Sequence, residues 1–148
     1  DPVYQAIYPE FAKMLANGKK LEAKQMAIKI SLYAGGAGLV FYGLFALLGE
    51  WAIGLAFGSE FLGAYDVTLV YFIAIFVAII TLPLYPMQHA FGYAKKAFIN
   101  QLQTTLVYIP LLFILTFYFE MIGASIAYIF YYTYLSRLTL NSVKKGFK

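Results

Sequence analysis

Long uncharged apolar runs alternate with short polar segments along this chain, and the alternation predicts most of its elements. Tyr4, Ile7, Tyr8, Phe11, Met14 and Leu15 recur every three or four residues, the period of a helix with one apolar face. Asn17-Gly18 then supplies a left-handed helix stop. Leu21, Gln25, Ile28 and Leu32 share one face of a second helix. From Ile30 to Leu48 there is no charge, and these nineteen residues would rise about 28 Å, close to the ~30 Å hydrocarbon thickness of a bilayer. Gly49-Glu50-Trp51 is expected to end this first span. The stretch from Trp51 to Asp66 is too short and interrupted to cross, and is expected to lie in the interface.

A second uncharged run extends from Val67 to about Met87, with Pro83 and Pro86 near its end. A polar hinge follows, carrying Gln88, His89, Gly92, Lys95, Lys96, Asn100 and Gln101. The third run, Leu102 to Phe119, contains Pro110; Glu120, Met121 and Ile122 then lead to Gly123, a tight reversal. The fourth runs from Ala124 to about Leu140. Pro83, Pro86 and Pro110 remove backbone donors and are expected to bend their helices. Ala34 and Gly38 form a small-xxx-small pair that lets a neighbouring backbone approach closely. The pattern therefore predicts an all-α, multi-pass membrane helical bundle: four transmembrane helices with an interfacial segment after the first. Residues 1–29 are expected to form a cytoplasmic amphipathic loop, 30–140 the bundle and 141–148 a cytoplasmic basic tail.

Composition points the same way. Hydrophobic residues make up 62% of the chain and charged residues 12%, with a mean hydropathy of +0.73, whereas soluble domains are about a quarter charged. Water is the wrong solvent for such a surface. The net charge of +4 changes the picture only through its placement. In order, the five segments outside the spans hold five, none, two, none and four Lys or Arg, counting Arg137 with the tail, which accounts for all 11. Cytoplasmic loops accumulate basic residues, so both ends and the central hinge are expected on the cytoplasmic side, facing the anionic leaflet. No basic stripe carries aromatics at groove spacing, so nucleic acid is not an expected partner. The chain begins at Asp1-Pro2 and is expected to be a piece of a longer protein.

Little in the sequence carries chemistry. Cysteine is absent, which excludes disulfides and thiolate metal sites. Ala34-Gly35-Gly36-Ala37-Gly38 lacks the preceding strand and the Lys-Ser/Thr of a phosphate loop. His89 is the sole histidine, too few for a metal site, and is expected to be solvated by headgroups at the inner end of the second span. No nucleophile–base pair or paired carboxylates appear, so no catalytic residue, metal or cofactor is expected and the chain does not read as an enzyme. The basic residues Lys95, Lys96, Arg137, Lys144 and Lys145 form a cytoplasmic surface suited to phosphorylated headgroups.

Four stretches resemble landmarks of the O-antigen and polysaccharide flippases of the multidrug/oligosaccharidyl-lipid/polysaccharide exporter superfamily. Tyr8-Pro9-Glu10-Phe11-Ala12-Lys13-Met14-Leu15-Ala16-Asn17-Gly18 resembles their cytoplasmic loop, and Ala56-Phe57-Gly58-Ser59-Glu60-Phe61 their segment after the next span. Ala90-Phe91-Gly92-Tyr93-Ala94-Lys95 is similar to their hinge, with Tyr93 where a basic residue is common, and Gly123-Ala124-Ser125-Ile126-Ala127-Tyr128 to the start of their last spans. The resemblance implies the C-terminal third of such a flippase, in the bacterial or archaeal cell (inner) membrane. It implies the lipid bilayer, the remaining N-terminal helices of the parent transporter and a lipid-linked oligosaccharide as partners. Gln88, His89, Lys95 and Lys96 become the candidate substrate-binding residues. A cation-coupled multidrug exporter of the same superfamily and a non-transporting four-helix membrane scaffold are the alternatives; the former would want a membrane-embedded carboxylate, which no span here contains.

Overall fold

A computed structural model describes residues 2–148; Asp1, the first residue of the expected 1–29 loop, lies outside the described residues. The first helix, α1 (Pro2–Ala16), ends where the sequence places its stop. Gly18 adopts φ 72°, the Gly18 amide donates to the Leu15 carbonyl at 3.1 Å, and the Lys19 amide donates to the Met14 carbonyl at 2.9 Å. This paired closure satisfies carbonyls the helix would otherwise leave open, and glycine reaches the left-handed geometry without a Cβ penalty.

The second helix, α2 (Lys20–Phe57), is 38 residues long, roughly 57 Å at 1.5 Å per residue. It does not stop at Gly49-Glu50-Trp51. Glu50 and Trp51 are exposed and cost the helix nothing, while Gly49 is buried where a Cβ would stand 2.9 Å from Tyr65 Cε2. That glycine is a packing residue rather than a stop. The helix ends at Gly58, φ 101°, and a short 3-10 turn, Ser59–Phe61, leads to α3 (Ala64–Ile80). Much of the stretch expected to lie in the interface is therefore the continuation of α2.

Pro83 interrupts the next rod as expected. Thr81, Leu82 and Pro83 form a turn, and α4 (Leu84–Ala90) begins directly after the proline. Pro86 sits in the first turn of α4, where a missing N–H costs little. The last helix, α5 (Ala94–Phe147), runs through Pro110 with helical backbone and would measure roughly 81 Å if straight. It is not straight. Glu120 adopts φ 51° and ψ −131°, and the chain folds back on itself there. The Tyr108 ring meets those of Tyr128 and Tyr131 at 5.7 and 5.2 Å, and the Asn100 amide donates to Ser142 Oγ at 3.4 Å.

Packing follows from small residues and from one inner cluster. Along α2, Ser31, Gly35, Gly38, Tyr42, Phe45 and Gly49 alternate by four and three residues and are buried or half-buried, the seven-residue repeat of a helix seam. Gly35 meets Ile80 and Gly38 meets Phe76, so the close approach to α3 uses Gly35 with Gly38 more than Ala34 with Gly38. Helix α3 lies between α2 and α5, while α4 packs on α5 and α1 folds over α4 and the start of α2. Phe11, Ala23, Met87 and Val143 join four elements in one buried cluster, with Ile7, Met14 and Leu15 around it. The face shared by Leu21, Gln25, Ile28 and Leu32 is exposed, its apolar members at 68%, 49% and 69%, while Ala23, Ala27 and Ile30 supply the side turned inward. Three helical stretches, Lys20–Phe57, Ala64–Ala90 and Ala94–Phe147, are long and apolar enough to cross a membrane.

Candidate functional site

Apolar side chains dominate these helices, so polar side chains turned inward stand out. On α5, Asn100 and Thr104 are almost wholly buried one turn apart, with the Thr104 hydroxyl donating to the Asn100 carbonyl at 2.8 Å. Ser142 and Thr139 come to the same end from the returning half of α5, and both are buried. Gln101 donates to the Tyr131 hydroxyl. The Ser136 hydroxyl donates to the Thr81 hydroxyl at 2.9 Å, and Thr81 in turn donates to the Val77 carbonyl at 2.7 Å.

Between α3, α4 and the two halves of α5 some of these groups border a cavity of about 460 Å³, while Asn100, Thr104 and Ser142 lie outside its lining. Thr81, Gln101, Ser136 and Thr139 provide its polar wall, and Tyr85, Tyr131 and Tyr132 its rings. Apolar side chains such as Ile75, Ile79 and Leu135 close the rest. No charged residue lines it. Such a site offers neutral hydrogen-bond donors and acceptors beside ring faces, a combination suited to a ligand with hydroxyl edges and C–H faces.

The residues singled out from sequence divide between inside and outside. Gln88 is fully buried, and neither of its amide atoms has a hydrogen-bond partner among the described residues. An unpaired buried polar group costs about 1–3 kcal/mol, so stability does not explain this side chain. His89 is half-buried: its Nε2 is enclosed, and its ring packs edge-on to Tyr4 at 5.7 Å and beside Tyr85 at 4.5 Å. The physical reason is α1, whose aromatic face, with Tyr4 stacked on Tyr8, folds over the end of α4. Burial there, together with the neighbouring phenols Tyr8 and Tyr85, raises the pKa of the Tyr4 hydroxyl above its usual value.

Lys95 and Lys96 lie outside, exposed in the first turn of α5. Between them and His89 the backbone repeats the closure seen after α1: Gly92 at φ 80° donates to the His89 carbonyl at 2.8 Å, and the Tyr93 amide to the Gln88 carbonyl at 3.1 Å. The cap turns the two lysines away from the buried Gln88 amide. Sequence reasoning missed the polar wall. Its signal was present in the spacing on the returning half of α5, because Tyr132, Ser136 and Thr139 recur every three or four residues in an apolar helix. No protein-family model, curated protein or solved structure matches the chain.

Proposed function

We propose that the chain is the C-terminal third of a membrane flippase that moves a lipid-linked oligosaccharide to the outer leaflet by alternating access. In this reading α2, the α3–α4 rod and the two halves of α5 make four crossings, with the turn at residues 58–63 at the outer interface. Both ends and the Gly92 hinge are cytoplasmic, as the Lys/Arg tally requires. The membrane is the bacterial or archaeal cell membrane, as the resemblance implies.

The observation that carries the reading is the uncharged, polar-walled cavity with three phenol rings inside an otherwise apolar bundle. Sugars present hydroxyls around an apolar ring face, and this wall can meet both without neutralising a charge. The break at Pro83 supports a moving part, since interrupted helices at a polar site let one half of a rod turn against the other. The four resemblances, in order along the chain, add the family.

The test uses the parent transporter carrying Gln101→Met with Tyr131→Phe. Removing both partners leaves no orphaned group, so folding should survive while the wall loses polarity. With protein level and orientation verified, surface glycan should fall severalfold; undiminished glycan at limiting expression would overturn the reading.

A further inference from the structure

A second cavity, of about 590 Å³, opens between the start of α2, α4 and the last turns of α5, and its shape is that of a groove with two chemistries. Pro83 and Met87, both fully buried, border it at the break between α3 and α4, and Ile28, Ile80, Leu84 and Leu140 extend its apolar walls. Lys24, Lys144 and Lys148 belong to the same lining. All three are exposed, none is in an ion pair among the described residues, and no Asp or Glu lines the groove.

The order of these residues along the helices matters more than their number. On α2, Lys24, Ile28 and Leu32 follow one another at intervals of four, so they stack along one face over ~12 Å. On α5, Lys144 and Leu140 do the same in the opposite chain direction, with Lys148 directly after the helix end. The two helices meet at their charged ends, where Lys20 Nζ donates to the Gly146 carbonyl at 3.1 Å. Cations therefore gather at one mouth of the groove, and apolar side chains run away from it on both helices.

We propose that this groove binds an anionic phospholipid, its phosphate at Lys24, Lys144 and Lys148 and one acyl chain along Ile28, Leu84 and Leu140. A free anion would use the lysines but gain nothing from the apolar length. A zwitterionic lipid would fill the length but bring no net negative charge to the three cations. A protein helix laid in the groove would gain from its apolar walls and would need acidic residues at one end alone. The anionic lipid matches both halves in their observed order, and the volume lies within the roughly 300–1,000 Å³ of small-molecule sites. This groove shares only Leu84 with the polar-walled cavity, and its occupancy does not depend on transport.

The experiment uses the full 148-residue chain in mild detergent, with bound phosphatidylglycerol or phosphatidylcholine counted by native mass spectrometry. Phosphatidylglycerol should be retained roughly tenfold better, since each basic residue near an anionic surface contributes measurably to attraction. Lys24→Gln with Lys144→Gln and Lys148→Gln should erase the preference, whereas Lys13→Gln with Lys29→Gln should keep it. Ile28→Trp, at a half-exposed wall position, should weaken retention severalfold with every lysine in place. Should the triple variant lose its helical circular dichroism, Ile28→Trp decides alone. Equal retention of the two lipids, an unaltered preference in the triple variant, an equal loss in the Lys13/Lys29 control, unweakened retention in Ile28→Trp or full displacement by millimolar inorganic phosphate would each overturn the proposal.

Discussion

Ser136 reaches across the bundle to Thr81, its hydroxyl donating at 2.9 Å to the residue that closes α3 just before the Pro83 break. Because Thr81 spends its own proton on the Val77 carbonyl, the three groups form a directed chain from α5 to α3. Thr81→Val keeps the shape and removes the acceptor. In apolar surroundings such interhelical bonds couple by about 0.6 kcal/mol on average. A Thr81→Val/Ser136→Ala double-mutant cycle, read by unfolding in detergent, should return a coupling of about that size. Strict additivity would show that the two hydroxyls act separately.

The reversal in α5 makes opposite demands on two residues three positions apart. Glu120 sits at φ 51°, ψ −131°, a region that side chains other than glycine occupy only under strain of about 1–3 kcal/mol. Glu120→Gly should therefore raise the unfolding temperature. At Gly123 a Cβ would run into the Leu115 carbonyl, which is backbone and cannot step aside. Gly123→Ala should lower the unfolding temperature by several degrees. Gly36→Ala, with open space around the added carbon, is the control and should be neutral or mildly stabilising through helix propensity. Equal effects at Gly36 and Gly123 would mean the hairpin does not depend on that contact.

The seam between α2 and α3 gives a graded series. A Cβ at Gly35 would stand 2.9 Å from Ile80 Cγ2, and one at Gly38 would stand 3.2 Å from Phe76 Cδ2. Alanine at either asks only a side-chain end to shift, but leucine would push the helices apart. Gly35→Leu and Gly38→Leu should both reduce folded yield in detergent, the former more. Leu47→Ile, at 83% exposure, should be silent. Unchanged yield for Gly35→Leu would place that face of α2 against lipid.

Local stops were legible in the sequence because they are set by single residues. Gly18 and Gly92 close their helices through backbone geometry that needs no tertiary partner, and Pro83 breaks a rod through its missing N–H. Gly49 misled because the same residue type that ends a helix also makes room for Tyr65, and only packing distinguishes the two. The site was read partly for a similar reason. Gln88 and His89 were visible as polar residues at the end of an apolar run, but the packing of the His89 ring comes from Tyr4 of α1, more than 80 residues away in sequence. The polar wall needs α3 beside both halves of α5, which no window of sequence contains.

Ser59 and Lys95 test the proposed orientation. Ser59 lies in the turn between α2 and α3, and Lys95 follows the α3–α4 rod, so the proposed topology puts one crossing between them. Cysteines at the two positions should label from opposite sides, with Ser59→Cys accessible from outside. Labelling of both by an impermeant reagent from outside would remove the four-crossing topology.

Lys95 and Lys96 allow a separation of stability from recruitment, because the two effects have opposite signs. Both stand exposed in the first turn of α5, where the helix presents its positive end, so each cation is slightly unfavourable to the helix by about 0.3–1 kcal/mol at most. Replacing both by Gln should leave thermal stability unchanged or slightly higher. If they attract a pyrophosphate-linked glycan near the membrane surface, each contributes about 1 kcal/mol to that attraction. Losing both should then weaken apparent affinity roughly tenfold or more, visible as reduced surface glycan when the parent is expressed at limiting level. Orientation has to be checked by the Ser59 and Lys95-side labels, since the same lysines count toward cytoplasmic retention. A protein of correct orientation and equal or greater stability that exports less glycan would assign the lysines to recruitment. A protein of correct orientation with undiminished glycan would leave them as topological charge, and the binding of cargo would then rest on the uncharged wall of Gln101, Tyr131 and Ser136.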